Sequence, residues 1–562
     1  MSNIIPAPGW SSLPEDILFM IFDFAKHDIQ LKTATESYPH TESFLLQYFT
    51  VWAPLLFVCR HWNEVASKMA LLWNKIGVAD SAVDQHGQLI VRPEQYFQYF
   101  LVSVLRSSTA PLQLYFAGST LLRRALPVIE QHAFRIKVLV MAASDEADRQ
   151  EVIHKLFELS FPAIQRVELY RSPQAELQNL HPDLPPMELS CERYPSLRTL
   201  HIAHTNLTST TAFRTLRVLN LRWCAFADGP ALSAAAFLHC IAAAPELEIL
   251  DLTRTLHRLQ DDVRKDIPLA SLPRLHSLRE VSLTDAPEVI AAFLSCFVFR
   301  EDLSLKIDLD MHTRDELETR EELVDAFKSA FPENRDAHLP VFRTLARGEL
   351  EEFDGHITLV AHGPVDPTRA APLGSVRMTL NTDADLAEDY CAELYADDFL
   401  ETFAAAFARA PLRHLVLNGE FYWDGDEELA RTAPLLDVLR GFPDVVALEV
   451  RGVGSPLPLL LMLRELDPQE DGSYAPMVCP KLAVLCVEMS CDRESDAVHG
   501  LCHVLYNRVV HARRPKMASV VFKLKRDEGD DAVVQECEVI GNKRQLEVMH
   551  AEFVEHLEWE VV

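Results

Sequence analysis

Cysteine and histidine gather near the C-terminal end of the chain, as Cys479, Cys486, Cys491, His499, Cys502 and His503. These residue types hold zinc, so metal binding is the first chemistry to test against their spacing. No C-x-x-C pair occurs among the 11 cysteines, and Cys486 falls at an apolar-alternating strand position. The reading is free thiols in a reducing compartment, with no metal and no cofactor. Asp424, Asp426 and Glu428 imitate the opening of a calcium loop, but Leu429 stands where that loop needs glycine. Gly452 and Gly454 begin a G-x-G-x-x-G phosphate loop that ends on Leu457 instead of a third glycine. Asp383 with Asp385, and Asp308 with Asp310, are paired carboxylates of the kind an acidic chain acquires by chance. No G-x-x-x-x-G-K, G-x-S-x-G or H-E-x-x-H occurs. The spacing outlines no active site, and a catalytic role would need a site assembled only by the fold.

The strongest local pattern is SSLPEDILFMIFDFA, Ser11 to Ala25. Ser12 and Glu15 stand at capping-box spacing, and Pro14 falls in the first helical turn, where its missing N–H costs nothing. Ile17, Leu18, Ile21, Phe22 and Ala25 share one helical face, with Phe19, Met20 and Phe24 on the other. A helix apolar on both sides packs inward with one face and grips a partner with the other. A second stripe follows, Val58, Trp62, Val65 and Met69, then Leu72 and Trp73.

The order leucine-proline, Asp/Glu, Ile-Leu, Ile-Phe, then Val-Cys-Arg-x-Trp and Leu-Trp resembles the F-box. The resemblance covers about the first eighty residues and departs from a compact F-box in a longer connection between Lys26 and Ala53. It implies a small all-α module over residues 1–80 that docks onto the Skp adaptor of a cullin–RING ubiquitin ligase. Carried onto this chain, the adaptor-contacting surface is Leu13, Pro14, Ile17, Leu18, Ile21, Phe22, Val58, Cys59 and Trp62.

Beyond residue 110 a triplet recurs, apolar at i, i+3 and i+5. It runs from Ile136-Leu139-Met141 through Leu216-Leu219-Leu221 and Leu247-Leu250-Leu252 to Leu482-Leu485-Val487. This is the L-x-x-L-x-L core of a leucine-rich repeat. Several triplets follow an apolar helical segment closed by proline, as in FLHCIAAAPELEILDL and FAAAFARAPLRHLVL. The predicted fold class is α/β, a leucine-rich-repeat solenoid over residues 81–562 with parallel strands on the concave side and helices on the convex side. Cys224 fills the position three residues after the third leucine, where Asn or Cys is usual. Thr205, Thr255 and Ala286 stand there elsewhere, so an asparagine ladder is mostly absent. The repeat weakens between 300 and 400, where SLKIDL, HITLV and SVRMTL still offer strands. After Lys525 a hairpin turning at Glu528-Gly529-Asp530 and a final helix are expected to cap the end.

The chain has 562 residues and a formal charge of −30, from 83 acidic against 53 basic side chains. Such a charge is repelled by phosphate backbones and anionic bilayers, so neither nucleic acid nor membrane is an expected partner. Phe44 to Cys59 carries no charge but is shorter than the roughly 20 residues of a span, and reads as buried helix and turn. Cytoplasmic and/or nuclear placement is expected, because no basic residue precedes Lys26 to start a signal peptide.

An F-box followed by leucine-rich repeats is similar to the F-box/leucine-rich-repeat proteins, particularly their large fungal sets. That resemblance implies a non-catalytic substrate receptor, joined to cullin through the Skp adaptor and selecting an unknown protein target. The alternative is a leucine-rich scaffold outside any ligase. On the strand face between the leucines, the target-contact candidates are His201, Asn220, Arg222, Asp251, Asn418 and Arg451.

Overall fold

In the computed structural model every apolar triplet quoted above becomes a buried residue leading into a strand. Leu216, Leu219, Leu221, Leu247, Leu250 and Leu252 are each at most 2% exposed. The described residues are 13–33, 53–80, 82–83, 89–91, 93–143, 146–171, 187–210, 214–226, 234–256, 273–309, 320–353, 356–364, 374–380, 396–407, 410–420, 433–453, 457–469, 473–490, 494–525, 547–548 and 550–561. The chain divides into two compact units, Met1–Arg258 and Leu259–Val562.

The first unit opens with helix α1 (Glu15–Thr33) and helix α2 (Arg60–Lys68). Seven main strands follow: β1 (Lys75–Ala79), β2 (Leu112–Ala117), β3 (Ile136–Ala143), β4 (Arg166–Arg171), β5 (Thr199–Ala203), β6 (Val218–Arg222) and β7 (Ile249–Thr253). Each pairs parallel with the next, so spatial order equals chain order. Parallel neighbours need a crossover, and helices supply several: α3 (Pro93–Arg106), α4 (Ser119–His132), α5 (Glu146–Glu158) and α6 (Ala234–Ala242). The register aligns Leu139, Val167, Leu200, Leu219 and Leu250 in one buried row.

The turn after β5, β6 and β7 is itself repeated. His204, Trp223 and Arg254 all adopt positive φ, at 52°, 54° and 46°. That backbone costs non-glycine residues about 1–2 kcal/mol each. His204 stacks flat on Trp223, with centroids 5.8 Å apart and planes 9° off parallel, and the Arg254 guanidinium lies 4.1 Å from the Trp223 ring. The next residue in each turn is buried and donates to a strand carbonyl. Thr205 Oγ1 reaches Ala203 O (3.2 Å), Cys224 Sγ reaches Ile202 O (3.4 Å) and Thr255 Oγ1 reaches Leu221 O (3.1 Å). Cys224 and Thr255 thus tie their turns to the preceding strand where asparagine is missing, while Thr205 bonds its own strand.

The second unit contains β8 (Glu280–Asp285), β9 (Ser304–Leu309), β10 (Arg347–Phe353), β11 (His356–His362), β12 (Ser375–Leu380), β13 (His414–Glu420), β14 (Ala447–Val453), β15 (Val484–Ser490), β16 (Met517–Lys525) and β17 (Val554–Val561). Their pairing order is β8-β9-β12-β11-β10-β13-β14-β15-β16-β17. Only β11 runs against its neighbours. The weakened stretch of the repeat is therefore an antiparallel excursion that keeps the parallel register on both sides. Gly348 is needed inside β10, because a Cβ there would sit 2.7 Å from the Phe403 ring and 2.8 Å from Leu412. Helices α7 (Pro287–Leu294), α8 (Arg320–Ser329), α9 (Arg335–His338), α10 (Ala396–Ala406), α11 (Ala433–Gly441), α12 (Leu457–Arg464) and α13 (Glu494–Tyr506) complete this unit.

Strand β16 has β15 on one side and β17 on the other, both parallel. The last described element is a strand, and the expected turn at 528–530 lies outside the described residues. The fold class is mixed α/β, a helical N-terminal region followed by extensive parallel-rich sheet. No helix among the described residues is long and apolar enough to cross a membrane.

Candidate functional site

The N-terminal module is held by a small core of Leu18, Phe22, Trp62, Val65, Ala66, Leu72 and Trp73. Phe22 and Trp62 meet edge to face at 5.7 Å, which joins α1 to α2. Trp73 donates its indole N–H to Ala66 O at 2.7 Å, and the Arg106 guanidinium lies 4.3 Å from its ring. The start of α1 differs from the expected capping box. Pro14 O already accepts Leu18 N–H at 3.1 Å, which places Pro14 at the cap. Glu15 instead pairs with Lys68 at 3.1 Å, while Ser12 lies outside the described residues.

This packing sorts the nine adaptor-surface residues. Leu18, Phe22 and Trp62 are at most 4% exposed and face the module's own core. Leu13, Ile17, Ile21 and Cys59 are half-buried, and Pro14 and Val58 are exposed. The opposite face of α1 is the open one: Met20 is 60% and Phe24 74% exposed, with Phe19 at 38%. Phe57 is 83% exposed, against the expectation that the apolar run ending at Cys59 is buried. Residues 44–52 of that run lie outside the described residues. Phe19, Met20, Asp23, Met69, Leu71 and Leu72 line a groove of about 340 Å³. Monomeric soluble proteins rarely leave large apolar side chains clustered in water, which makes this face a candidate contact surface. Its signal in the sequence is the second apolar stripe of α1; Phe57 and Leu71 carry no comparable signal.

The sheet-face candidates fall into two groups. In the first unit, His201, Asn220 and Asp251 are register partners on β5, β6 and β7. Asn220 donates to Asp251 at 2.6 Å, and Arg222 reaches Asp251 at 3.3 Å. Sequence reasoning missed the buried centre of this patch, Glu168 on β4, which is 1% exposed. Glu168 pairs with Arg166 and accepts the Tyr170 hydroxyl at 3.0 Å. Burial first, and the Glu168 charge second, push the Tyr170 hydroxyl far above its ordinary range. Burial also lowers His201, so its imidazole stays neutral near pH 7. In the second unit, Asn418 on β13 and Arg451 on β14 are register partners. Arg451 pairs with Glu449 at 2.7 Å, and Glu449 also takes His414 at 2.6 Å. Arg222 and Arg451 thus each hold a carboxylate of their own unit.

Neither group has the arrangement of a nucleophile, base and orienting acid. Among the described residues no three His, Cys, Asp or Glu side chains converge as a metal cage. The cysteines of the C-terminal cluster are spread over separate environments. Cys479 is fully buried, with its thiol pushed up to about 12; Cys486 lies on β15; Cys502 faces the core of α13.

A family model described as F-box-like matches residues 10–78 of the chain. That span coincides with α1, α2 and the start of β1, so the helical module is an F-box-like domain. No curated protein matches the chain.

Proposed function

We propose that this protein is a substrate receptor of an SCF-type cullin–RING ubiquitin ligase. The carrying observation is the F-box-like domain at 10–78, which exposes Phe24 and Phe57 to water and carries the groove of Phe19, Met20, Met69 and Leu71. F-box domains bind Skp-type adaptors, and an adaptor covering this face would remove several large apolar side chains from water. Burying one such side chain contributes roughly 1.5–3 kcal/mol.

Within that reading the nine adaptor-surface residues divide their work. Pro14 and Val58, with the edges of Leu13, Ile17, Ile21 and Cys59, border the contact. Leu18, Phe22 and Trp62 set the angle between α1 and α2 from inside. The strands beyond form a leucine-rich-repeat solenoid that presents His201, Asn220, Arg222 and Asp251, and separately Asn418 and Arg451, to a protein target. Support comes from the parallel order of the strands and the buried i, i+3, i+5 register. The ion pairs of Arg222 and Arg451 favour a target that matches a mixed-charge surface over a simply acidic one. The role is non-catalytic, and ubiquitin transfer belongs to the rest of the ligase.

Co-purification separates this reading from a scaffold acting outside a ligase. The tagged full chain is expected to bring down a Skp-type adaptor and a cullin in comparable amounts. Recovery of the chain with neither, from cells where a known F-box protein retrieves both, would assign it to the scaffold class.

A further inference from the structure

His499 and His503 stand four residues apart on α13, on a face that both imidazoles leave exposed. Their Nε2 atoms are 3.0 Å apart, with ring centroids at 4.5 Å and planes 80° apart. The neighbouring thiols take no part, since Cys502 turns into the core and Cys479 is buried elsewhere in the unit. We propose that His499 and His503 form an open, two-donor site for a divalent transition-metal ion, copper(II) or nickel(II) in preference to zinc(II).

The 3.0 Å separation is a hydrogen bond between the two rings, and a metal ion would take the place of the shared proton. Imidazole nitrogens bind zinc at about 2.0–2.1 Å, and two donors at that length in a tetrahedron stand about 3.3–3.4 Å apart. A separation of 3.0 Å corresponds to a donor–metal–donor angle of about 91–97° at the same bond length. That angle belongs to adjacent positions of a square or octahedral ion, the preference of copper(II) and nickel(II). The helix sets the spacing, because residues i and i+4 lie one above the other on the same face. The Arg464 charge opposes a cation here.

An open site of this kind leaves most coordination positions to water or to a donor from another molecule. It is independent of the ligase reading, since it needs neither the adaptor nor the sheet face.

The test is titration of the metal-stripped full chain with copper(II) chloride, then nickel(II) and zinc(II) chloride, against a glycine competitor. Wild type is expected to bind one equivalent of copper more tightly than the background of its other histidines, with two nitrogen couplings in the electron paramagnetic resonance spectrum. His499→Gln and His503→Gln are each expected to weaken that equivalent at least tenfold. His239→Gln, an exposed histidine on α6, is expected to leave it unchanged. Thermal melts of the metal-free variants check that the fold is intact, and copper should raise the melting temperature of wild type alone. Equal copper affinity in wild type and the double variant would overturn the site. A preference for zinc over copper would overturn the geometry assigned to it.

Discussion

Replacing Leu219 and Leu250 with alanine probes whether the strands form a repeat whose units lean chiefly on their neighbours. The two residues are register partners on β6 and β7, at most 1% exposed. Each substitution removes three buried carbons, about 2.4 kcal/mol at roughly 0.8 kcal/mol per methylene. The unfilled space raises the cost into the range of about 2.7–5 kcal/mol seen for buried leucines. Because the two cavities are adjacent, the double variant is expected to depart from additivity by about 0.5–3 kcal/mol. Urea denaturation gives the energies, and hydrogen exchange read by mass spectrometry locates them. The expected result is faster exchange across β5, β6 and β7, with β14, β15 and β16 protected as in wild type. That pattern follows from nearest-neighbour coupling in a repeat array. Single variants with unchanged midpoints, or exchange that rises equally in both units, would refute the register and the repeat reading together.

Three further outcomes follow from buried groups. Arg508, 2% exposed, donates to the carbonyls of Val478 and Cys479 with no carboxylate partner among the described residues, and burial lowers its pKa to about 10. Arg508→Met removes the bond to Val478 O, while Cys479 O still accepts the Leu482 N–H, and is expected to cost about 1–3 kcal/mol by urea melts; an unchanged midpoint would contradict this. Burial holds His132, His201 and His362 below their ordinary 6.5, so the unfolded chain takes up more protons just under that pH. Stability is therefore expected to fall as pH drops through 6.5 towards 5, and His201→Gln should flatten part of that slope; a wild-type slope of the opposite sign would refute the assignment. Cys296, raised to about 11, and Cys479, to about 12, are expected to resist iodoacetamide in the native chain at pH 8, and rapid labelling of either would show that its burial is wrong.

The strand register was legible because leucine at i, i+3 and i+5 has no other economical use than a buried turn-and-strand unit. The inward and outward faces of α1 were legible for the same reason, as two apolar stripes at helical spacing. Which stripe packed inward was not, since Leu18 and Phe22 differ from Phe19 and Phe24 only in what α2 brings against them. The antiparallel excursion had a signal in Asp354-Gly355, a pair favoured in two-residue hairpin loops, set between β10 and β11. Glu168 escaped notice because a lone glutamate in RVELY reads as solvent-facing until Arg166 and Tyr170 close over it.

The most direct measurement of the central claim is the affinity of the purified chain for a Skp-type adaptor, taken with the exposed and the buried residues varied separately. Phe24→Ser with Phe57→Ser changes only side chains that are 74% and 83% exposed, so the melting temperature should hold. Adaptor binding should weaken at least tenfold, since buried aromatic anchors carry most of the energy of an interface. Trp62→Ala should lower adaptor binding and the stability of the module together, because that ring packs on Phe22. An exposed double variant that binds the adaptor like wild type would contradict the assignment of this face, and a wild-type chain with no measurable adaptor affinity would contradict the ligase role.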